Sequence, residues 1–102
     1  MCKKSKILII RFSSIGDIIL TTPLLRCLNN QLNVEIDYLT KSEYKDLVTS
    51  NPHVNEVITL GSISETLDIL RSKNYNYVID LQNSLRSLLI RSLLFIKSYS
   101  FS

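Results

Sequence analysis

Residues 6–30, KILIIRFSSIGDIILTTPLLRCLNN, carry the pattern that decides the fold. Residues 6–11 are a short run of mostly β-branched, apolar side chains that ends on a basic residue. Such runs are typical of strands that are buried on both faces of a parallel sheet. The turn at residues 12–17 follows and holds one of the only two glycines in the chain. We therefore expect a first strand that leads through a turn into a helix.

The helix after this turn contains a proline, which bears on its shape. Between residues 17 and 30 the apolar side chains recur on one helical face, and Cys27 falls on that stripe as a small core residue. We expect one helix from about residue 16 that bends at Pro23. The alternative is a helix that Thr22 caps and in which Pro23 takes the first position.

Strands and helices alternate along the rest of the chain. We expect strands at 34–40, 57–60, 77–80 and 99–102, and helices at 43–50, 64–73 (capped by Ser64) and 84–96. This alternation is typical of βαβ units with right-handed crossovers. The sequence therefore predicts an α/β, Rossmann-like, three-layer fold around a parallel sheet with strand order 3-2-1-4-5. Because the fifth strand falls on the last residues, we expect a truncated domain.

Composition and length exclude several classes of protein. The chain has 102 residues, 45% hydrophobic and 21% charged, which suits one globular domain and excludes a disordered or collagen-like chain. Its net charge of +3 permits an anionic partner. Cys2 and Cys27 lie far apart and His53 is the only histidine, so we expect neither a disulfide framework nor a metal site. The tyrosines lack the interleaved basic residues of a nucleic-acid binder, so no nucleic-acid partner is expected.

The apolar stretches bear on cellular location and on the last helix. The run at 7–10 is too short for a signal peptide, and no stretch approaches the roughly 18 apolar residues of a membrane span, so we expect a cytoplasmic protein. Residues 88–96 are apolar nearly all round, which predicts a buried helix; peripheral membrane contact is the alternative. Arg86 and Arg91 in the same helix form either a solvated edge or a phosphate clamp.

Two loops are expected to lie side by side at the carboxyl edge of the sheet, where open α/β sheets bind ligands. They are residues 12–17 after the first strand and 80–87 after the fourth. Gly16 stands alone where a dinucleotide-binding turn needs three glycines, and there is no G-K-[ST], so we expect no NAD or ATP site and no cofactor. Asp17 is either a helix cap or a general base, and the helix N-terminus lowers its pKa.

Three stretches match a known family in order and in spacing. Residues 7–26 place a basic residue, a small polar pair, Gly-Asp and a proline at the family's spacing; residues 51–58 read NPHVNEVI and residues 75–87 read YNYVIDLQNSLRS. Together they resemble the ADP-heptose:lipopolysaccharide heptosyltransferases, glycosyltransferase family 9. One position departs from the family, because Asn83 stands where the family has glycine.

The resemblance implies the N-terminal, acceptor-side part of an inverting, metal-independent glycosyltransferase with two Rossmann-like domains, the GT-B fold. The residues that match the family's site are Asp17 as catalytic base, Arg11, Ser13, Ser14 and Gly16 in the acceptor-side loop, and Arg86 near the acceptor. The intact enzyme would transfer heptose from ADP-heptose to the lipopolysaccharide inner core. Its nucleotide-sugar site would lie in a C-terminal domain that residues 1–102 lack.

The sequence leaves the activity of this chain by itself open. Without the second domain, we expect residues 1–102 to lack donor binding and turnover. One alternative is a family member that uses another nucleotide sugar or another acceptor. The other is a non-catalytic flavodoxin-like module or an inactive remnant.

Overall fold

A five-stranded parallel sheet forms the centre of the molecule. The computed structural model describes residues 5–94 and the backbone of residues 97–100. The strands are Ser5–Ile10 (β1), Val34–Thr40 (β2), Glu56–Thr59 (β3), Tyr77–Asp80 (β4) and Lys97–Ser100 (β5). Their order is β3-β2-β1-β4-β5, with every neighbouring pair parallel. The predicted order of the first four strands is confirmed. The fifth begins two residues before the predicted 99–102, whose last two residues lie outside the described part.

Helices cover both faces of this sheet. They are Ile15–Leu20 (α1), Thr22–Gln31 (α2), Lys45–Thr49 (α3), Ile63–Lys73 (α4) and Leu85–Leu93 (α5), with a 3₁₀ turn at Ser42–Tyr44 before α3. Side chains alternate along β1, so that Leu8 and Ile10 pack with α4 and α5, while Ile7 and Ile9 pack with α1, α2 and α3. These four side chains are buried, and each such burial stabilises the fold by about 1.5–3 kcal/mol. The predicted α/β three-layer architecture is confirmed.

The segment after β1 is two helices, and Thr21 separates them. Its hydroxyl donates to the Ile18 carbonyl at 2.6 Å and lies 3.2 Å from the Tyr38 hydroxyl of β2. Pro23 takes the second position of α2, where its missing N–H leaves no helical bond unmade. The prediction of one bent helix is therefore wrong. The alternative is closer, displaced by one residue, because Thr21 rather than Thr22 precedes the second helix.

Two further predictions about helices are wrong. Ser62, not Ser64, is the N-cap of α4, because its backbone is extended and its hydroxyl accepts the Glu65 N–H at 3.3 Å. Cys27 is exposed on α2 rather than part of the core, since Leu25 fills the buried position of that helix.

The α5 helix is apolar on its outer side as well as on its inner side. Ile90 is fully buried against the sheet, whereas Leu85 is 81% exposed and Leu88 and Leu89 are exposed as well. The prediction of a buried helix at residues 88–96 is therefore wrong at Leu88 and Leu89, and the last two residues of that span lie outside the described part. Within the described residues, no helix has the length and hydropathy needed to cross a membrane.

Candidate functional site at the carboxyl edge of the sheet

The loops that follow β1 and β4 are in direct contact, as predicted. The Leu81 N–H donates to the Ile10 carbonyl at 3.0 Å, which extends the pairing of the two strands by one residue. The Arg11 guanidinium reaches across as well, and its Nη1 donates to the Leu81 carbonyl at 2.5 Å. The site is therefore built on two loops that neighbouring strands hold together.

Asp17 occupies the first turn of α1, and its carboxylate is held by the loop before it. Oδ2 accepts the Ser14 hydroxyl at 3.1 Å and lies 3.5 Å from the Ser14 amide nitrogen. The same oxygen forms an ion pair with Arg11 Nη2 at 2.6 Å. Oδ1 takes part in none of these contacts, and 48% of the side chain is exposed. Asp17 thus keeps one oxygen free of these partners while the other fixes its orientation.

The charge state of Asp17 follows from these contacts. The hydrogen bond from Arg11, followed by those from Ser14, lowers the pKa of the Asp17 carboxyl below its usual value. The predicted direction is confirmed, although the main cause is the arginine rather than the helix terminus. Asp17 is ionised at neutral pH and is able to accept a proton, but its low pKa makes it a moderate base.

The loop after β4 is organised around a buried carboxylate, Asp80. Its Oδ1 accepts the backbone N–H groups of Gln82 and Asn83 at 3.0 and 2.9 Å. Its Oδ2 lies 3.4 Å from Nε of Arg91, whose side chain is largely buried. A solvated edge formed by both arginines is therefore wrong, because Arg91 compensates the charge of Asp80 inside the protein.

Asn83 adopts a backbone conformation that explains its place in the motif. Its φ is +55°, in the left-handed region that glycine enters freely and that asparagine tolerates better than most residues. Asn83 therefore accommodates the positive φ of this turn without a glycine.

Gln82 and Arg86 join the second loop to the first. Gln82 Oε1 accepts the Phe12 N–H at 3.0 Å and lies 3.4 Å from the Ser13 amide nitrogen. The exposed Arg86 guanidinium lies over the Phe12 ring, 5.6 Å from its centroid. We did not single out Gln82 from the sequence, although it stands inside the third matching stretch.

The predicted site residues differ in how closely they meet. Arg11, Ser14 and Asp17 are in contact, whereas the backbone N–H of Ser13 faces Gln82 and Arg86 lies over the ring of Phe12. Gly16 is exposed, and a Cβ placed on it would meet nothing within 4 Å, so neither steric space nor a positive φ requires glycine there.

A groove of about 270 Å³ opens beside Asp17. Its lining combines the charged pair of Arg11 and Asp17 with the hydroxyl-bearing Thr21 and with three leucines, Leu20, Leu24 and Leu81. Within residues 5–94 no cluster of three or more histidine, cysteine, aspartate or glutamate side chains is arranged to hold a metal ion. The groove therefore offers a carboxylate and a guanidinium beside an apolar wall.

Comparison with known proteins supports the predicted resemblance. No protein-family profile matches the sequence. Lipopolysaccharide heptosyltransferase 1 of Campylobacter coli is 29% identical in an alignment that covers 94% of this chain and 30% of that protein. The structure of ADP-heptose LPS heptosyltransferase II from E. coli superposes with a TM-score of 0.84 at 29% identity, over 93% of this chain and 30% of that one.

Two more distant structures share the fold. A family 9 glycosyltransferase from Veillonella parvula gives a TM-score of 0.83 at 23% identity, over 97% of this chain and 34% of that one. E. coli heptosyltransferase WaaC with ADP-2-deoxy-2-fluoro heptose gives 0.79 at 20% identity, over 95% and 36%. The chain thus resembles heptosyltransferases along nearly its whole length, and it spans about a third of the length of these proteins.

Proposed function

We propose that this chain forms the N-terminal, acceptor-side part of a glycosyltransferase that transfers heptose from ADP-heptose to the lipopolysaccharide inner core. The observation that carries this proposal is the half-exposed Asp17 carboxylate, fixed by Arg11 at the edge of a groove. The similarity to heptosyltransferases, at 29% identity in two comparisons, supports the class of reaction.

In this proposal Asp17 is the general base of an inverting transfer. Oδ1 accepts the proton of an acceptor hydroxyl while that hydroxyl oxygen attacks the anomeric carbon of the sugar nucleotide. The bond from the anomeric carbon to the nucleotide's phosphate oxygen breaks, and the nucleotide diphosphate leaves with that electron pair. Although its low pKa makes Asp17 a moderate base, it can accept this proton because the hydroxyl becomes more acidic as its oxygen attacks, so that proton transfer accompanies bond formation.

The remaining residues of the proposed site bind or orient the acceptor. Arg11 and Ser14 hold Oδ2, so that Oδ1 keeps one direction relative to the groove. Arg86, stacked on Phe12, presents an exposed guanidinium to an anionic group of the acceptor. Ser13 and Gly16 complete the loop along which the acceptor would lie.

The second half of the active site belongs to a further domain in this proposal. Residues 1–102 supply the acceptor side, and a C-terminal domain supplies the nucleotide-sugar site. The intact enzyme would act in the cytoplasm, where its acceptor is a lipid-linked sugar at the inner face of the membrane. The exposed leucines of α5 are compatible with peripheral contact at that surface.

Replacing Asp17 with asparagine in the intact enzyme tests the proposed base. Asparagine keeps an oxygen for Ser14, the N-cap with which Asp17 forms the capping box, and the ion pair with Arg11 that it removes is half-exposed, so we expect the free energy of unfolding to change by less than ~1 kcal/mol. We expect kcat to fall by at least ~10²-fold, because general bases contribute about 10²–10⁴-fold. The substrate KM values should change much less.

Asp46→Asn is the matched control, since Asp46 is an exposed aspartate in the first turn of α3. It should leave kcat unchanged. Near-normal turnover in Asp17→Asn would make Asp17 a structural cap and remove the catalytic part of the proposal. Turnover with a different nucleotide sugar would retain the base and replace the donor.

A further inference from the structure

We propose that Gln82 is a positioning residue. It holds the loop of residues 12–17, here called the Asp17 loop, in the conformation that orients the Asp17 carboxylate. The inference rests on the proposed function for its catalytic consequence, but its structural part is independent of any activity. The backbone groups that face the Gln82 side-chain oxygen belong neither to Asp17 nor to a residue that lines the groove. Gln82 acts instead through the backbone of Phe12 and Ser13.

The side-chain carbonyl of Gln82 accepts a hydrogen bond from the backbone of the Asp17 loop. The loop leaves β1 after Ile10, so the Phe12 N–H has no strand partner and donates to Gln82 Oε1 at 3.0 Å. Phe12 is buried, and a buried N–H without a partner is unfavourable because it has lost its hydrogen bonds to water. Removing the Gln82 carbonyl would therefore favour a different path for this loop.

The backbone of Gln82 is held in turn by Asp80. The Gln82 backbone N–H donates to Oδ1 of the fully buried Asp80, and Asp80 is paired with Arg91 on α5. A continuous set of contacts thus runs from α5 through Asp80 and Gln82 to Phe12. Because Asp80 is fully buried and anchored on a strand, the backbone from which the Gln82 side chain reaches the first loop has a defined position.

The Gln82 side chain affects Asp17 through the loop that lies between them. Arg11 and Ser14 flank the Phe12–Ser13 segment, and both hold Oδ2 of Asp17. A shift of the segment moves both partners of the carboxylate together. Since displacements of about 1 Å at a reacting group cost up to ~10²-fold in rate, Gln82 should affect kcat more than substrate binding.

Three substitutions in the intact enzyme test the structural part. Gln82→Met removes the carbonyl but keeps a side chain of similar length, and Gln82→Glu keeps an acceptor oxygen. Gln31→Met is the matched control at an exposed glutamine that ends α2. The measurement is amide hydrogen exchange at Phe12, expressed relative to Ile9 in β1 so that a change in global stability cancels.

We expect Gln82→Met to lower the relative protection of Phe12 by at least ~10-fold, the factor that corresponds to about 1.4 kcal/mol. Gln82→Glu and Gln31→Met should retain it. Unchanged relative protection in Gln82→Met overturns the inference, and so does an equal loss in Gln82→Glu. If Gln82→Met does not fold, loss of protection in Gln82→Glu still overturns the inference, and its retention supports it.

Kinetics of the intact enzyme test the catalytic part. Gln82→Met should lower kcat by at least ~10-fold with less than ~3-fold change in either KM, and Gln82→Glu should restore kcat. An unchanged kcat overturns this part. Failure of the proposed function is distinguishable from failure of this inference. If the proposed function fails, Asp17→Asn keeps its turnover, while Gln82→Met still lowers the protection of the Phe12 amide.

Discussion

At the residue scale, Asp17 shows how one set of contacts serves both a helix start and a candidate active site. The sequence predicted an aspartate with a low pKa at a helix N-terminus, and the direction is confirmed. It could not predict the main cause, since Arg11 lies six residues earlier and meets Asp17 only because the turn folds back. Gln82 was missed for a related reason, because its partners are backbone groups 70 and 69 residues away in sequence.

Arg11→Met should raise the pKa of Asp17 toward 3.8, because the first cause of its depression is removed. A carboxyl with a depressed pKa in the folded state stabilises the protein above its unfolded pKa, and this contribution is lost as the pH falls through the folded pKa. The variant should therefore lose less stability on acidification. Carbon NMR titration of the Asp17 carboxyl provides the measurement. Arg26 is an exposed arginine on α2, and Arg26→Met should leave the Asp17 titration unchanged. An unchanged titration in Arg11→Met would contradict the pairing of Arg11 with Asp17.

At the element scale, the strands were more predictable than the ends of the helices. Strands β2 and β4 were predicted with the observed bounds, because each is a short run rich in β-branched and aromatic residues. The break at Thr21 depends partly on the Tyr38 hydroxyl of β2, a tertiary contact that no local pattern contains. The cap of α4 was available from the sequence, since Ser62 and Glu65 have the spacing of a capping box that Ser64 lacks.

The turn after β4 gives a prediction about backbone conformation. Because Asn83 has φ +55°, Asn83→Ala should destabilise the protein by about 1 kcal/mol, whereas Asn83→Gly should change stability by less than that. Asn74 is the matched control, with φ +56° at the end of α4, away from the site. Urea unfolding should show similar losses for both alanine variants. In the intact enzyme, only Asn83→Ala should also lower turnover, and an equal loss of turnover in Asn74→Ala would contradict a local effect.

At the scale of the whole molecule, the sequence predicted the layers because β1 to β4 each carry apolar side chains for both faces of the sheet. The parallel pairing followed from the alternation of strands and helices. The exposed leucines of α5 escaped prediction, since an apolar sequence does not state whether a helix is covered on its outer side. The comparisons match about a third of each similar protein. The donor site therefore enters only as part of the proposal for the intact enzyme.

This division of the site predicts that the 102-residue chain does not bind the donor. Gly16 stands alone in the first loop, so no glycine-rich turn cradles a pyrophosphate, and the proposed nucleotide-sugar site belongs to the further domain. Titration calorimetry with ADP-heptose and with ADP should show no saturable binding at millimolar ligand, which corresponds to an affinity weaker than about −4 kcal/mol. The intact enzyme under the same conditions provides the positive control, and circular dichroism verifies that the shorter chain is folded. A micromolar Kd for the 102-residue chain would place donor recognition within residues 1–102 and overturn the assignment of domains.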